Sequence, residues 1–291
     1  MNLIGDCDFP GPGTSVDLAV SGGPDSLGLL LLALDAGLTA TVHHVDHHTR
    51  PASGDDARFV VAVAERFGVP CVVHDVYLEP GGNFEALARA QRRRVLPPGT
   101  LTGHTMDDLA ETVLLNMMRG AGVEGLSPMV GDTTKPLRRV RRRDLHFFVV
   151  ESELEARHDE TNDSALYRRN RVRHELIPMM NDVAQRDVVP ILARQARVLF
   201  EDRSWLDELS AGDLALGLDD ADCRELSRWP EARLTRWLRV RLSTLTPEHE
   251  TYPPSADEVA RALRVVRGHA MACELSGGRR LARSAQRLTL D

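Results

Sequence analysis

The chain has 291 residues, of which 42% are hydrophobic and 27% are charged, and its net charge is −7. This length favours two domains, and the composition is ordinary for a globular protein. The apolar run from Leu27 to Leu34 is too short to cross a bilayer, the first residues lack a signal-peptide pattern, and the four cysteines form no CxxC pair. We therefore expect a cytoplasmic protein with no membrane contact.

Strands and helices alternate over the first 125 residues. The segments with strand character are Val16–Val20, Ala40–Val45, Cys71–Val76 and Thr100–Gly103, and those with helical character are Leu27–Leu34, Asp55–Phe67, Phe84–Leu96 and Met106–Arg119. This order predicts an α/β fold of the Rossmann-like class, with a parallel sheet and helices on both of its faces. Ligands of such sheets bind at the carboxyl ends of the strands, where Ser21, His43 and His104 fall.

Helical patterns dominate the rest of the chain. Residues 182–209 predict one long helix, and Pro230–Leu242 and Ala256–Val266 predict two more. A hairpin is expected within 275–290, around Gly277-Gly278. We therefore expect a catalytic domain over 1–181, a linker helix over 182–209 and a smaller, mostly helical C-terminal domain over 210–291.

The first strand runs straight into a glycine turn, SGGPDS at residues 21–26, and then into a helix. Adjacent glycines let the backbone approach a ligand closely, and a helix start presents free N–H groups and a positive dipole end. This arrangement suits a phosphate chain. The turn lacks the lysine of GxxxxGK[ST] and the spacing of GxGxxG. The alternative is an ordinary strand-to-helix turn that is rich in glycine and serine.

Basic residues cluster in three runs despite the negative net charge: Arg89–Arg94, Arg138–Arg143 and Arg168–Arg173. Local basic patches bind phosphate backbones, whatever the charge of the whole chain. These runs predict an RNA substrate, with solvated helix faces as the alternative. Four histidines, His43, His44, His47 and His48, also allow a zinc site, although only Asp46 is spaced to complete the ligand set.

Four further motifs follow the glycine turn in a fixed order: HHVDHHTRP (43–51), TGHTMDDLAETVLLNMMRGAGVEGLSPM (102–129), KPL (135–137) and DETNDSALYRRNRVRHELIPMM (159–180). Together with SGGPDS they closely resemble the tRNA(Ile)-lysidine synthetases, a family of PP-loop ATP pyrophosphatases. The resemblance covers the first two thirds of the chain, and the last third resembles the shorter form of that family.

This resemblance implies an ATP-dependent ligase that joins free lysine to the wobble cytidine of the isoleucine tRNA with a CAU anticodon. The reaction passes through an adenylated tRNA and releases AMP and pyrophosphate, with ATP and Mg²⁺ as the nucleotide and metal. The C-terminal domain is expected to recognise the tRNA, and a homodimer is left open. The rivals are another PP-loop tRNA enzyme, such as a thiolase, whose paired cysteines are missing here, and a catalytically silent tRNA-binding protein.

The resemblance also assigns roles to individual residues. The nucleotide-binding group comprises Ser21, Gly22, Gly23, Asp25, Ser26, Val42, His43 and Gly103, with Asp25 also as the metal ligand. The catalytic group comprises Asp25, His104, Asp107 and Asp108, where the two later aspartates are expected to hold or deprotonate the lysine ammonium. The alternative for this group is N-capping carboxylates plus a structural histidine.

Four arginines complete the predicted site. Arg89 and Arg92 are expected to contact the tRNA backbone or the α-phosphate, and Arg171 and Arg173 the ATP phosphates or the activated base. The alternative for the second pair is a solvated helix start with a salt bridge to Glu175. The chain departs from the family pattern at three positions: His48 replaces a glycine, Thr105 a second histidine, and Arg93 a tyrosine.

Overall fold

The computed structural model describes residues 3–48, 53–77, 91–157, 168–218, 220–245, 251–252 and 254–291. Two compact units divide the chain, Met1–Arg203 and Ser204–Asp291. The predicted domain limits at 181 and 209 stay predictions. Within the described residues, no helix combines the length and the apolar character that a bilayer crossing needs.

The first unit is built on a parallel sheet in the order β1-β2-β3. Its strands are β1 Ser15–Ala19, β2 Thr39–Asp46 and β3 Cys71–Asp75. The expected fourth strand, Thr100–Gly103, is reduced to a single parallel bridge between Leu101 and Leu18. Leu101 donates its N–H to the Asp17 carbonyl and accepts from the Ala19 N–H, while the Thr102 N–H points to the other side and donates to the Thr134 carbonyl.

Helices flank this sheet, as the alternating pattern predicts: α1 Pro24–Asp35 and α2 Ser53–Arg66 contact its strands. The helices that follow are α3 Met106–Met118, α4 Arg142–Glu151, α5 Arg168–Arg171, α6 Ile177–Ala184 and α7 Val189–Leu209, which continues past Arg203, with a π-helical turn over Val172–Leu176. The α/β fold class is thereby confirmed. Residues 91–95 are helical, and the rest of the helix expected over Phe84–Leu96 lies outside the described residues.

The single helix expected over 182–209 is interrupted: residues 182–184 end α6, and residues 185–188 are not helical. Gln185 has a left-handed backbone, with φ of 51°, and ends α6. The next helix, α7, begins only at Val189, whose N–H donates to the Asp187 carboxylate. Pro190 accounts for the new start, because proline fits the first turn of a helix and not its interior.

The second unit has a core around the fully buried Trp237, whose indole N–H donates to the Leu216 carbonyl. Its elements are α8 Ala211–Ala215, α9 Cys223–Leu226, α10 Glu231–Leu242, β4 Thr244–Leu245, β5 Thr251–Tyr252, α11 Ala256–Val266, β6 Ala272–Glu274, β7 Arg280–Ser284 and β8 Arg287–Leu290. The glycine pair at 277–278 joins β6 to β7, as expected. A second turn at Ala285-Gln286, with positive φ at both residues, was not expected, since neither residue is typical of such turns.

Helices α1 and α4 pack closely against each other at Gly28 and Leu145. A Cβ atom at Gly28 would lie 2.4 Å from Cδ1 and 2.6 Å from Cγ of Leu145, which is fully buried. Only glycine therefore lets the two helices approach this closely.

We predict that Gly28→Ala destabilises the protein by about 1–3 kcal/mol, because overpacking a rigid core outweighs the better helix propensity of alanine. The free energy of unfolding in urea measures this. Gly54→Ala is the matched control: it is also helical, and its new Cβ would lie 3.7 Å from the nearest atom, on Arg58. A Gly28→Ala variant as stable as the Gly54→Ala variant would contradict the packing argument.

Candidate active site

The glycine turn between β1 and α1 holds two serine hydroxyls at the start of a helix. Ser26 Oγ lies 2.9 Å from the Gly23 carbonyl oxygen, 3.1 Å from the Ser21 backbone nitrogen and 3.2 Å from Ser21 Oγ. Gly23 is the N-cap residue of α1, and its cap is not closed by any side chain. Gly22 has φ of 90°, a conformation that suits glycine. Because Pro24 has no N–H and the Ser26 N–H donates to the Gly23 carbonyl at 3.1 Å, the Asp25 N–H is the donor that the start of α1 offers to an anion.

A cleft opens at the carboxyl ends of the strands, beside this turn. Its lining residues are Ala19, Val20, Ser21, Asp25, Ser26, His43, Val45, Arg92, Thr102, Gly103, His104 and Asp108. The structure therefore brings eight of the predicted site residues to one cleft: Ser21, Asp25, Ser26, His43, Arg92, Gly103, His104 and Asp108. They come from four separate stretches of the chain, which is the convergence that a parallel sheet predicts.

Gly103 lets the segment after the bridge strand lie against the start of α1. A Cβ atom at Gly103 would lie 2.6 Å from the Asp25 carbonyl oxygen, so any other residue would push the two segments apart. Gly103 therefore holds His104 next to the glycine turn.

His104 is oriented by a threonine. Thr102 Oγ1 lies 2.8 Å from His104 Nδ1 and donates to the Thr134 carbonyl at 3.3 Å. The contact with Thr102 fixes the orientation of the His104 ring. The arrangement places an imidazole suited to proton transfer in the cleft.

Two carboxylates of α3, Asp108 and Glu111, form the centre of a charged cluster behind the cleft. They are three residues apart and lie on one face of the helix. Three guanidinium groups surround them, from Arg142 at the start of α4 and from Arg169 and Arg173 near the π-helical turn. The cluster thus ties three helical segments to one another.

Both oxygens of Asp108 are occupied. One accepts from the Thr105 backbone N–H and hydroxyl, each at 2.8 Å, and closes a capping box. The other contacts Arg142 at 2.8 Å and Arg169 at 3.2 Å. Burial alone would raise the pKa of Asp108, but Arg142 and Arg169 outweigh it and hold that pKa well below its usual range.

Glu111 is completely buried and pairs with three arginines. Its oxygens lie 2.9 Å from Arg142 Nη1, 2.8 Å from Arg169 Nε and 2.7 Å from Arg173 Nε. Burial would raise the pKa of this carboxyl, yet the hydrogen bond from Arg173 and the charge of Arg142 lower it. Glu111 therefore stays ionised inside the protein.

Asp25 differs from these two carboxylates because about a third of its side chain is exposed. Mg²⁺ in nucleotide sites is usually held by one or two carboxylates together with substrate phosphates. Asp25 fits that role, since it lines the cleft beside the phosphate cradle. Asp108 does not, because each of its oxygens already contacts two protein donors.

Asp107 does not line the cleft. Its carboxylate accepts two bonds from the Arg141 guanidinium, each of 3.1 Å, and a third from the Arg142 backbone N–H at 2.8 Å. That N–H is one of the unpaired donors at the start of α4, so Asp107 caps this helix from outside it. These contacts favour a structural role over the predicted contact with lysine.

The arginine side chains of the RRNRVR run point in two directions. Arg169 and Arg173 face Glu111, whereas the exposed Arg171 pairs with Glu175 at 2.8 Å. The π-helical turn that begins at Val172 shifts the helical phase between Arg169 and Arg173. Arg173 is therefore a member of the cluster, and Arg171 makes the solvated salt bridge that was the alternative interpretation.

The run Arg138–Arg143 does not form the open basic patch that the sequence suggested. Arg138 and Arg139 pair with Asp8, and Arg141 pairs with Asp107. The sequence reasoning therefore missed Arg142 as a site residue, and it also missed Glu111 and His146. Helical spacing could have identified Glu111, because it follows Asp108 by three residues in the motif at 102–129 and so lies on the same helix face.

The strand end that carries Val42 and His43, two of the predicted nucleotide-binding residues, is partly buried. Val42 is fully buried in the core. The His43 imidazole lies between Asp17 and His74, 2.9 Å from each, and His44 contacts the Val20 carbonyl at 2.9 Å. The side chains of His43 and His44 are thus engaged by the protein, while Arg89 lies outside the described residues.

His48 has φ of 50°, so the position where relatives carry glycine does require a left-handed backbone. Its ring lies 2.9 Å from an Asp75 oxygen and 3.5 Å from an Asp46 oxygen. In the described part of the chain this trio, and not a set of four histidines, is the group that could hold a metal ion.

We predict that Glu111→Gln lowers the free energy of unfolding by about 3–5 kcal/mol, because it removes a buried negative charge that three partly buried guanidinium groups share. Chemical denaturation measures the loss. Glu175→Gln, which removes the exposed partner of Arg171, is the control and is expected to match the wild type. Equal stability of the two variants would show that the cluster contributes nothing.

The same carboxylate gives a pH dependence. Because folding lowers the pKa of Glu111, its contribution is complete above the unfolded pKa of about 4.3 and is lost as the pH falls through the lower folded pKa. The stability difference between the wild type and Glu111→Gln should therefore shrink below about pH 4.5. Urea unfolding between pH 3 and 7 tests this, and a difference that is constant with pH would contradict it.

Known proteins place the chain in a family. The model of the PP-loop domain family matches residues 10–180. The tRNA(Ile)-lysidine synthase of Nocardia farcinica is 36% identical over 245 residues, which cover 80% of this chain and 76% of that protein. The tRNA(Ile)-lysidine synthase of Synechocystis sp. is 30% identical over 285 residues, with 87% and 84% covered.

Among solved structures, the U34-tRNA thiolase NcsA of Methanococcus maripaludis, determined with its 4Fe-4S cluster, is similar with a TM-score of 0.57. The two chains are 19% identical, and the match covers 67% of this chain and 74% of the thiolase, so this likeness shows the fold alone. The family model and the relatives above go further. On their evidence, the chain belongs to the tRNA(Ile)-lysidine synthase family of PP-loop enzymes.

Proposed function

We propose that this protein adenylates the wobble cytidine of the isoleucine tRNA with a CAU anticodon and then joins lysine to it. One observation carries the proposal: a single cleft brings the SGGPDS turn next to His104, Arg92 and Asp108. This is the arrangement that an ATP-cleaving enzyme needs when a second substrate must reach the α-phosphate. Membership of the tRNA-modifying PP-loop family supports the RNA substrate.

The first step transfers AMP to the tRNA. The C2 oxygen of cytidine attacks the α-phosphorus, a new P–O bond forms, and the bond to the bridging oxygen breaks so that pyrophosphate leaves. The Asp25 N–H at the start of α1 and the Ser21 hydroxyl would hold the departing pyrophosphate, and Ser26 Oγ, which donates to the Gly23 carbonyl and accepts from the Ser21 N–H, would hold the turn in shape. Asp25 would hold Mg²⁺, which neutralises charge on the phosphates when it is bound. Arg92 lines the same cleft and would contact the α-phosphate.

In the second step, lysine displaces AMP from the activated cytidine of the tRNA. The ε-amine attacks C2 of the activated cytidine, the C–O bond to AMP breaks, and AMP leaves. The lysine ammonium must first lose a proton, and His104, which lines the cleft, would accept it. Asp108 and Glu111 act here by holding the arginines in place. A homodimer and tRNA recognition by residues 210–291 belong to the same proposal.

A thiolase function is less well supported. Sulfur transfer of that kind needs reactive or metal-bound cysteines, and no cysteine is among the described residues that line the cleft. Burial raises the pKa of the Cys7 thiol to about 12, with help from the charges of Asp6 and Asp8, so this thiol is inert.

The direct test incubates the protein with ATP, Mg²⁺, labelled lysine and the CAU-bearing isoleucine tRNA. We expect label in the RNA with formation of AMP and pyrophosphate, and no label from leucine. Asp25→Ala should abolish the reaction, whereas Asp35→Ala, an exposed aspartate at the other end of α1, should not. Formation of ADP and phosphate, or unlabelled RNA, would refute the proposal.

A further inference from the structure

Two side chains of α4 hold the Asp25 carboxylate, one at each oxygen. His146 Nε2 lies 2.7 Å from Oδ1, and Arg142 Nε lies 3.4 Å from Oδ2. An ionised carboxylate only accepts hydrogen bonds, so His146 Nε2 carries the proton of this contact. Each oxygen still has a second lone pair that can face a cation in the cleft.

The helix that carries this pair is itself fixed in place. Its N-terminus is held by Asp107 through the Arg142 N–H at 2.8 Å, and its middle packs against Gly28 through Leu145. Arg142 and His146 are four residues apart, so they lie on one face of α4. A rigid helix thus presents two donors to a carboxylate at the first turn of α1.

Without these donors the Asp25 carboxylate would sample several rotamers, because about a third of it is exposed and it lies at a helix start. Metal ligands are commonly oriented by groups that do not touch the metal, and removal of such groups weakens metal binding by about 10- to 100-fold. His146 stands in this relation to Asp25.

We propose that His146, together with Arg142, is a positioning residue that orients Asp25 toward the divalent cation of the nucleotide site. This inference rests on the proposed function, in which Asp25 holds Mg²⁺. His146 gives the cleaner test, because Arg142 also pairs with the buried Asp108 and Glu111, and its replacement would disturb the whole cluster.

Three variants isolate the contact. His146→Leu removes the donor and keeps a side chain of moderate size, whereas His146→Gln offers an amide N–H in its place. Val150→Ala, one turn further along α4 and 71% exposed, is the control for changes to the helix. Urea unfolding of all three establishes that they are folded.

The measured quantity is the Kd of α,β-methylene-ATP, which resists cleavage at the α–β bond, with and without Mg²⁺. In the wild type and Val150→Ala we expect Mg²⁺ to tighten binding. In His146→Leu most of that gain should be lost, about tenfold, while the Kd without Mg²⁺ stays the same. His146→Gln should restore most of the gain, and pyrophosphate release with tRNA should follow the same order.

A His146→Leu variant with wild-type dependence on Mg²⁺ would overturn the inference, and so would equal losses in the Leu and Gln variants. A wild type that binds the nucleotide with a gain from Mg²⁺ but does not modify tRNA would refute the proposed function alone. A wild type that does not bind the nucleotide would refute both.

Discussion

The architecture of the site depends on the cost of burying two carboxylates. Asp108 and Glu111 lie almost out of contact with solvent, and an ionised carboxylate is stable there only if it is paired and hydrogen-bonded. Arg142, Arg169 and Arg173 meet that requirement, and they come from segments that are far apart in the sequence. The need for compensation therefore sets the positions of α3, of α4 and of the π-helical turn around one point.

The geometry of the cleft depends on this cluster. Arg142 reaches from Glu111 to Asp25, so the phosphate cradle at α1 and the buried cluster at α3 share one guanidinium group. Gly28 and Gly103 complete the arrangement, because only residues without a side chain let α4 and the His104 segment approach α1 closely. The proposed chemistry needs this closeness, since the α-phosphate, the base and the lysine amine must all meet at one place.

Local patterns predicted the fold and the cradle well. Apolar periodicity and the SGGPDS turn are encoded within short segments, and they indicated correctly the parallel sheet and the turn that joins β1 to α1. The missed features depend on contacts between distant segments. Arg142 looks like one more member of a basic run, and nothing near it in the sequence reveals that its partners are Asp25, Asp108 and Glu111. Likewise, no residue near Asp107 in the sequence reveals that its carboxylate caps α4 and does not contact a substrate.

The central claim is that this cleft activates the tRNA at the α-phosphate of ATP before lysine takes part. Exchange of labelled pyrophosphate into ATP tests it most directly, because exchange requires a reversible adenylation step. The account predicts exchange that needs the CAU-bearing isoleucine tRNA and Mg²⁺ but proceeds without lysine. Exchange that occurs without tRNA, or a requirement for lysine before any exchange appears, would contradict the account.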